Sequence, residues 1–220
     1  MMISTPDKRL AVQAYEQVLG MVMSAEIKPG TVILERRLAE QLTMSRTPVR
    51  DALLMLEGEG LLVRNEGRGL QVRYMNIEDF VENLAIRSLL EPEAVRLSIG
   101  RISAEQLGGL KARLELLLQQ AQTTGTVPDR EEVRSVDDDL HTIITTTAGN
   151  RHMAGIIRTL RQQTKMFDLR SLPVRLEDTC REHLAIVEAL SDNRADDAAE
   201  AMRLHLQGVR QSIITHLSNI

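Results

Sequence analysis

Aromatic side chains make up only 2% of this 220-residue chain, and none of them is Trp. The core must therefore be built from Leu, Ile, Val, Ala and Met. A single cysteine, Cys180, excludes an intrachain disulfide and fits a reducing compartment. No apolar run approaches the roughly 20 residues that cross a bilayer, and the N-terminus lacks the apolar core of a signal peptide. A cytoplasmic protein with no membrane partner is expected. Surplus positive charge is also missing, since the formal net charge is −4, which at first argues against a nucleic-acid partner. The split along the chain answers that objection. Residues 1–74 carry ten Lys/Arg against nine Asp/Glu, a net of +1, and the remainder is −5. A near-neutral head implies modest nonspecific affinity, so tight DNA binding would need two heads on one operator and well-placed arginines.

What is present begins with a stretch that organises the rest, Val32 to Val72. Leu38, Ala39 and Leu42 form one short apolar helical face. After a break at Thr43-Met44-Ser45, a second face appears at Val49, Ala52, Leu53 and Leu56. Behind these helices, Leu61-Leu62-Val63 and Leu70-Gln71-Val72 read as strands joined by Asn65-Glu66-Gly67-Arg68-Gly69, whose glycines suit a hairpin tip. The pattern is a helix-turn-helix followed by a wing. Ser45 is placed to cap the second helix and Pro48 lies in its first turn, with Asp51 adding negative charge near the positive end. Arg46, Thr47 and Arg50 then occupy the part of a recognition helix that meets base edges, where arginine pairs with guanine in bidentate fashion. Arg36 and Arg37 are placed for phosphates, and Arg68 at the wing tip for a minor groove. A preceding helix, Lys8 to Ala25 with Leu10, Ala14, Val18, Met21 and Val22 at helical spacing, would pack beneath.

The run Glu35-Arg36, Leu38-Ala39, Ser45 through Leu53, Leu56-Glu57 and Gly60-Leu61 resembles the winged-helix head of the GntR family of bacterial transcription regulators. That resemblance implies Arg36, Arg46 and Arg50 as the main DNA-contacting residues, with Thr47 beside them and Gly67 at the wing. Thr43 departs from the family, which commonly has glycine between the two helices. Threonine is comfortable there only if its backbone is not left-handed.

Everything after Asn76 reads as helical, giving the division 1–74 for a DNA-binding head and 75–220 for an antiparallel all-helical bundle. Helices are expected from Asn76 or Ile77 to about Gly100, from the Ser103-Ala104-Glu105-Gln106 capping box to Gln122, and from Arg130 to Thr147 after a Thr123–Asp129 loop. Three more follow, Arg151 to Met166, Val174 to Leu190 and Arg194 to Leu217. The fold class is thus mainly α. Within the bundle, Asp137 and His141 stand four residues apart on one helical face, and His183 and His205 come from two later helices. Three histidines and a carboxylate can form the shell of a divalent metal such as Zn²⁺ or Ni²⁺, or each histidine can be separately surface-exposed or hydrogen-bonded in the core.

Asp137 to His141 with Gly149-Asn150, Glu182 to Ile186, and Met202 to Leu206 resemble the three signature stretches of the FCD effector domain, the partner of GntR heads in the FadR subfamily. The resemblance implies Asp137, His141, His183 and His205 as metal ligands, with Leu140 where phenylalanine is usual. Arg87-Ser88-Leu89-Leu90-Glu91 is similar to the Arg-x-x-Leu-Glu stretch of that domain's first helix and implies Arg87 as a pocket residue. Such domains bind small carboxylates, commonly organic or sugar acids, which a metal with open positions and an arginine would hold. Arg87 could instead pair with Glu91 at i+4. Cys180 could reach the metal or be a buried inert thiol, and His152 and His216 have no matching partners. The expected function is a ligand-responsive regulator, a repressor rather than an enzyme, binding a palindromic operator as a homodimer. A metal-dependent hydrolase or lyase on a DNA-binding head is the alternative, although no His-Glu-x-x-His motif is present. A closed structural metal is a third option.

Overall fold

The computed structural model describes residues 5–65, 67, 69–123, 129–167 and 175–218. Among them the fold is mainly α, with nine helices and one small sheet. Two compact units divide the chain, one made of residues 1–80 with 161–168 and the other of residues 81–160 with 169–220.

The first unit is built on α1 (Thr5–Met23), α2 (Glu35–Gln41) and α3 (Arg46–Gly58). The buried stripe of α1 is Ala11, Ala14, Tyr15, Val18 and Val22, whereas Leu10, expected on that face, is 42% exposed. From Ala14 onward this stripe meets Leu38 and Ala39 of α2 and Val49, Ala52, Leu53 and Leu56 of α3 in a single apolar core. Ser45 occupies the N-cap position of α3, although its side chain makes no capping hydrogen bond. The turn between the helices does not meet the condition under which Thr43 is comfortable. Its φ is +54°, in the left-handed region. The Thr43 and Met44 N–H groups donate to the carbonyls of Glu40 (3.2 Å) and Ala39 (3.0 Å), the bond pair of a Schellman helix end. That geometry usually takes glycine, and here a β-branched residue holds it.

Behind the helices, β2 (Leu62–Asn65) and β3 (Gly69–Val72) form the wing, with Leu62 opposite Val72 and Asn65 opposite Gly69. Gly67, at φ +74°, is at the tip; Glu66 and Arg68 lie outside the described residues. A two-residue strand, β1 (Val32–Ile33), pairs with the outer side of β3 to give the order β1-β3-β2. Residues far along the chain complete this unit. Met166 joins its apolar core. Gln163 Nε2 donates to the Glu59 carbonyl at 2.8 Å, Gln162 Nε2 to the Tyr15 hydroxyl at 3.1 Å, and that hydroxyl to Glu59 Oε2 at 2.6 Å.

Six helices follow the wing: α4 (Ile77–Ser98), α5 (Ala104–Gln122), α6 (Arg130–Thr147), α7 (Arg151–Met166), α8 (Leu176–Ser191) and α9 (Ala195–Ser218). α4 passes through Pro92 without ending. The capping box at the start of α5 is complete, with Ser103 Oγ accepting from the Gln106 N–H and the Gln106 side chain accepting from the Ser103 N–H. Val174, the expected start of the next-to-last helix, lies outside the described residues. α8 packs along both α5 and α9, as in a helical bundle. The core of the second unit contains Leu84, Leu114, Leu117, Leu140, Ile144, Ile157, Ile186 and Met202. Aliphatic side chains and methionine fill it, as the scarcity of aromatics requires. No helix among the described residues is long and apolar enough to cross a membrane.

Candidate functional site

In the second unit, α6, α8 and α9 bring Asp137, His141, His183 and His205 to one point. One ligand atom from each lies within 4.8 Å of all the others. His141 Nε2 and His183 Nε2 stand 3.7 Å and 3.6 Å from Asp137 Oδ1, and His183 Nε2 is 3.4 Å from His205 Nε2. The three histidines are buried, while Asp137 is partly open to solvent. A metal about 2.0–2.1 Å from each donor needs donors roughly 3.0–3.5 Å apart, close to these three separations. The donor set of imidazole nitrogens and one carboxylate suits a borderline divalent ion.

The opposite nitrogens of two rings support the same reading. His141 Nδ1 is hydrogen-bonded to Glu91 Oε2, and His205 Nδ1 lies 2.9 Å from Glu182 Oε2. A carboxylate accepting the Nδ1 proton fixes the tautomer in which Nε2 carries the lone pair, and both Nε2 atoms face the cluster. Each carboxylate is tied in turn to an arginine. Arg87 Nε donates to Glu91 Oε1 at 2.6 Å, and Arg175 Nη2 to Glu182 Oε1 at 2.6 Å. Burial pushes the Glu182 carboxyl up, but the hydrogen bond and charge of His205 together with the Arg175 guanidinium outweigh it and hold the group below the usual carboxylate range.

Arg87 is buried and engaged with Glu91, one carboxylate removed from His141. Cys180 is not among the clustered groups. Burial pushes its thiol up to about 11, which makes it an inert core residue. His152 is exposed on α7. From the sequence, Glu182 had no role beyond opening a signature stretch, and Arg175 was not singled out. Glu182 adjoins His183 in the chain, but consecutive helical residues diverge by about 100°, so it reaches His205 instead.

On the first unit, Arg46, Thr47 and Arg50 are exposed at the start of α3. Both arginines meet one carboxylate that was not singled out, Glu35 at the start of α2. Arg46 Nε donates to Glu35 Oε1 at 3.0 Å, and Arg50 donates through Nε (2.9 Å) and Nη2 (3.0 Å) to its two oxygens. The Arg50 hydrogen bond is the main reason that the Glu35 carboxyl lies low; partial burial opposes it, and Arg46 adds to it. Arg36 is exposed and pairs with Glu40 at 3.3 Å.

A winged helix presenting arginines at the start of its second helix, joined in one chain to a bundle with a buried Asp/His cluster, defines a two-part transcription regulator. Residues 10–72 match the family of bacterial regulatory proteins, gntR family, and residues 82–208 match the FCD domain. The chain belongs to the GntR family and carries an FCD domain. It is similar to the HTH-type transcriptional regulator YdhC of Bacillus subtilis (strain 168), with 29% identity over 196 residues, 88% of this chain and 86% of that one. Similarity to the HTH-type transcriptional repressor RspR of Escherichia coli (strain K12) is 26% over 213 residues, 94% and 90% of the two chains. Among solved structures, E. coli McbR/YncC superposes with a TM-score of 0.77 at 25% identity, covering 99% of each chain. These relatives are transcription regulators, and they give no support to the metal-dependent enzyme alternative.

Proposed function

We propose that this chain is a ligand-responsive repressor that binds a palindromic operator as a homodimer and senses a small organic or sugar acid through a metal in its helical bundle. Residues 1–74 form the DNA-binding domain and residues 75–220 the metal- and effector-binding domain. The observation that carries the proposal is the convergence of Asp137 Oδ1 and the imidazoles of His141, His183 and His205 in a chain that also has a winged helix. Those four side chains hold the metal, with Zn²⁺ or Ni²⁺ fitting a set of three imidazoles and one carboxylate. Such an ion supplies a Lewis-acidic position for a carboxylate oxygen. Asp137, the one partly exposed member of the set, marks the side from which the effector arrives. Arg87, a buried guanidinium close to the cluster, provides the second anchor.

At the DNA, Arg46, Thr47 and Arg50 read base edges, Arg36 meets phosphate, and Gly67 with Arg68 brings the wing to the minor groove. Effector binding shifts operator affinity by the ratio of the effector's affinities for the two states of the dimer. Repression is chosen because a relative similar over nearly the whole chain is a transcriptional repressor.

The test is thermal stability against a panel of organic and sugar acids, with and without EDTA, followed by operator binding with any acid that raises the midpoint. A hit abolished by EDTA that also changes DNA affinity is the expected result. Hits that survive EDTA would move recognition to Arg87 alone. EDTA-induced destabilisation without any hit would make the metal structural.

A further inference from the structure

We infer that Arg175, Glu182 and Gly208 form a lock behind His205 that sets how tightly the cluster binds metal. The inference rests on the reading of the Asp137/His141/His183/His205 cluster as a metal site. On α9, His205 and Gly208 are three residues apart and share a face. Glu182 reaches that face from α8, placing Oε2 2.9 Å from His205 Nδ1, while its other oxygen accepts from Arg175 Nη2 at 2.6 Å.

Glycine at position 208 is what lets this pair lie against α9. A Cβ there would stand 2.6 Å from Arg175 Nη2, 2.8 Å from Glu182 Oε1 and 3.3 Å from Arg175 Cζ. The other glycines inside helices, Gly20, Gly58, Gly108, Gly109 and Gly155, have open space at the same position. Gly208 is thus the helical glycine whose missing side chain is occupied by something, and that something is the carboxylate–guanidinium pair orienting a cluster histidine. Arg175 stands at the N-cap of α8, with its carbonyl accepting from the Thr179 N–H at 2.8 Å, so its backbone is anchored where its guanidinium is needed. Displacing the pair frees the His205 ring to rotate and to change tautomer. The Nε2 lone pair is then no longer aimed at the cluster, and losing an outer partner of this kind typically weakens metal binding by roughly 10- to 100-fold. Arg175 and Gly208 are positioning residues, since they touch no proposed ligand atom and act through Glu182.

The test uses the full chain stripped of metal, with Zn²⁺ affinity measured by competition with a chromophoric chelator. The variants are Gly208→Ala, Arg175→Met and Glu182→Gln, with Gly109→Ala as a helical-glycine control. Folding is verified by circular dichroism, and the near-isosteric Glu182→Gln keeps the test valid if Gly208→Ala folds poorly. Each lock variant is expected to weaken Zn²⁺ binding by about 10- to 100-fold, and Gly109→Ala to match wild type. Arg175→Met added to Glu182→Gln should lose little more, because both act through one carboxylate; a merely structural role would give additive losses. Wild-type affinity in all three lock variants, or additive losses in the double variant, would overturn the lock and leave the metal reading intact. Absence of Zn²⁺ binding by wild type would overturn that reading and the lock with it.

Discussion

Replacing Thr43 by glycine should make this protein more stable. Thr43 is exposed, so the substitution removes no buried surface, and the hydrogen bonds of the turn come from backbone groups that glycine retains. What changes is the cost of holding an L-residue at φ +54°, which is about 1–2 kcal/mol. Glycine relieves that strain but brings a more flexible unfolded chain, an opposing effect of about 0.4–1 kcal/mol. The difference spans about 0–1.6 kcal/mol and centres on a net gain of about 0.8 kcal/mol. For a chain of this size, a gain of that order raises Tm by about 1–4 °C if the unit containing residues 1–80 unfolds within the main transition. The assay is urea and thermal unfolding of wild type, Thr43→Gly and Thr43→Ala, with operator binding as a check on function. Thr43→Ala retains the left-handed Cβ and should show no comparable gain. Equal stability of the alanine and glycine variants, or a loss with glycine, would refute the strain argument.

Other predictions concern the two candidate surfaces. Arg46→Ala and Arg50→Ala should each weaken operator binding by roughly 5- to 150-fold and flatten discrimination at one base position, as read by fluorescence anisotropy; unchanged affinity in both removes α3 as the reading helix. Stripping metal with EDTA should lower Tm, since an ion at about a hundred times its Kd stabilises the folded state by about 2.7 kcal/mol, and restoring Zn²⁺ or Ni²⁺ should reverse the change. Glu182 titrates below its unfolded value, so its contribution to the stability of the metal-free protein is present above about pH 4.3 and fades as pH falls through the lower folded value. Glu182→Gln should therefore flatten the acid limb of the urea midpoint against pH, and an unchanged limb would show that the carboxyl is not held by His205 and Arg175.

The helices were legible wherever a local signal marked them. Ser103 and Gln106 announced the start of α5, and the breaks at Gly149-Asn150 and Ser191 to Asn193 separated α6 from α7 and α8 from α9. Strand β1 was not legible, because Val32-Ile33 is too short for alternation to appear and its pairing with β3 spans some forty residues. The face of α1 was placed one residue out at Leu10, since Leu10 and Ala11 compete for the same edge of the stripe and only packing decides between them. The Asp137/His141/His183/His205 cluster was half legible. Four-residue spacing placed Asp137 with His141, but the approach of His183 and His205 needed either the fold or a family resemblance. Glu182 was marked only as the first residue of a signature stretch, and Gly208 had no local mark at all, because a glycine in a helix looks the same whether its missing side chain faces solvent or a guanidinium.

Glu35 gives the head a property that a count of its arginines would miss. Its single carboxylate pairs with both Arg46 and Arg50, so it offsets one of their two positive charges and occupies donors of both guanidiniums at the start of α3. Salt sensitivity of DNA binding rises with the number of phosphates neutralised, with a slope of about −0.9 for each. A head lying on random DNA with both arginines still turned toward Glu35 should therefore show a shallow salt slope and short dwell times. If Arg46 and Arg50 read guanine as proposed, the guanine edges must compete with Glu35 for the same guanidinium donors, an exchange that adds no phosphate contact and leaves the salt slope shallow. On that reading Glu35 would favour rapid scanning over sticking.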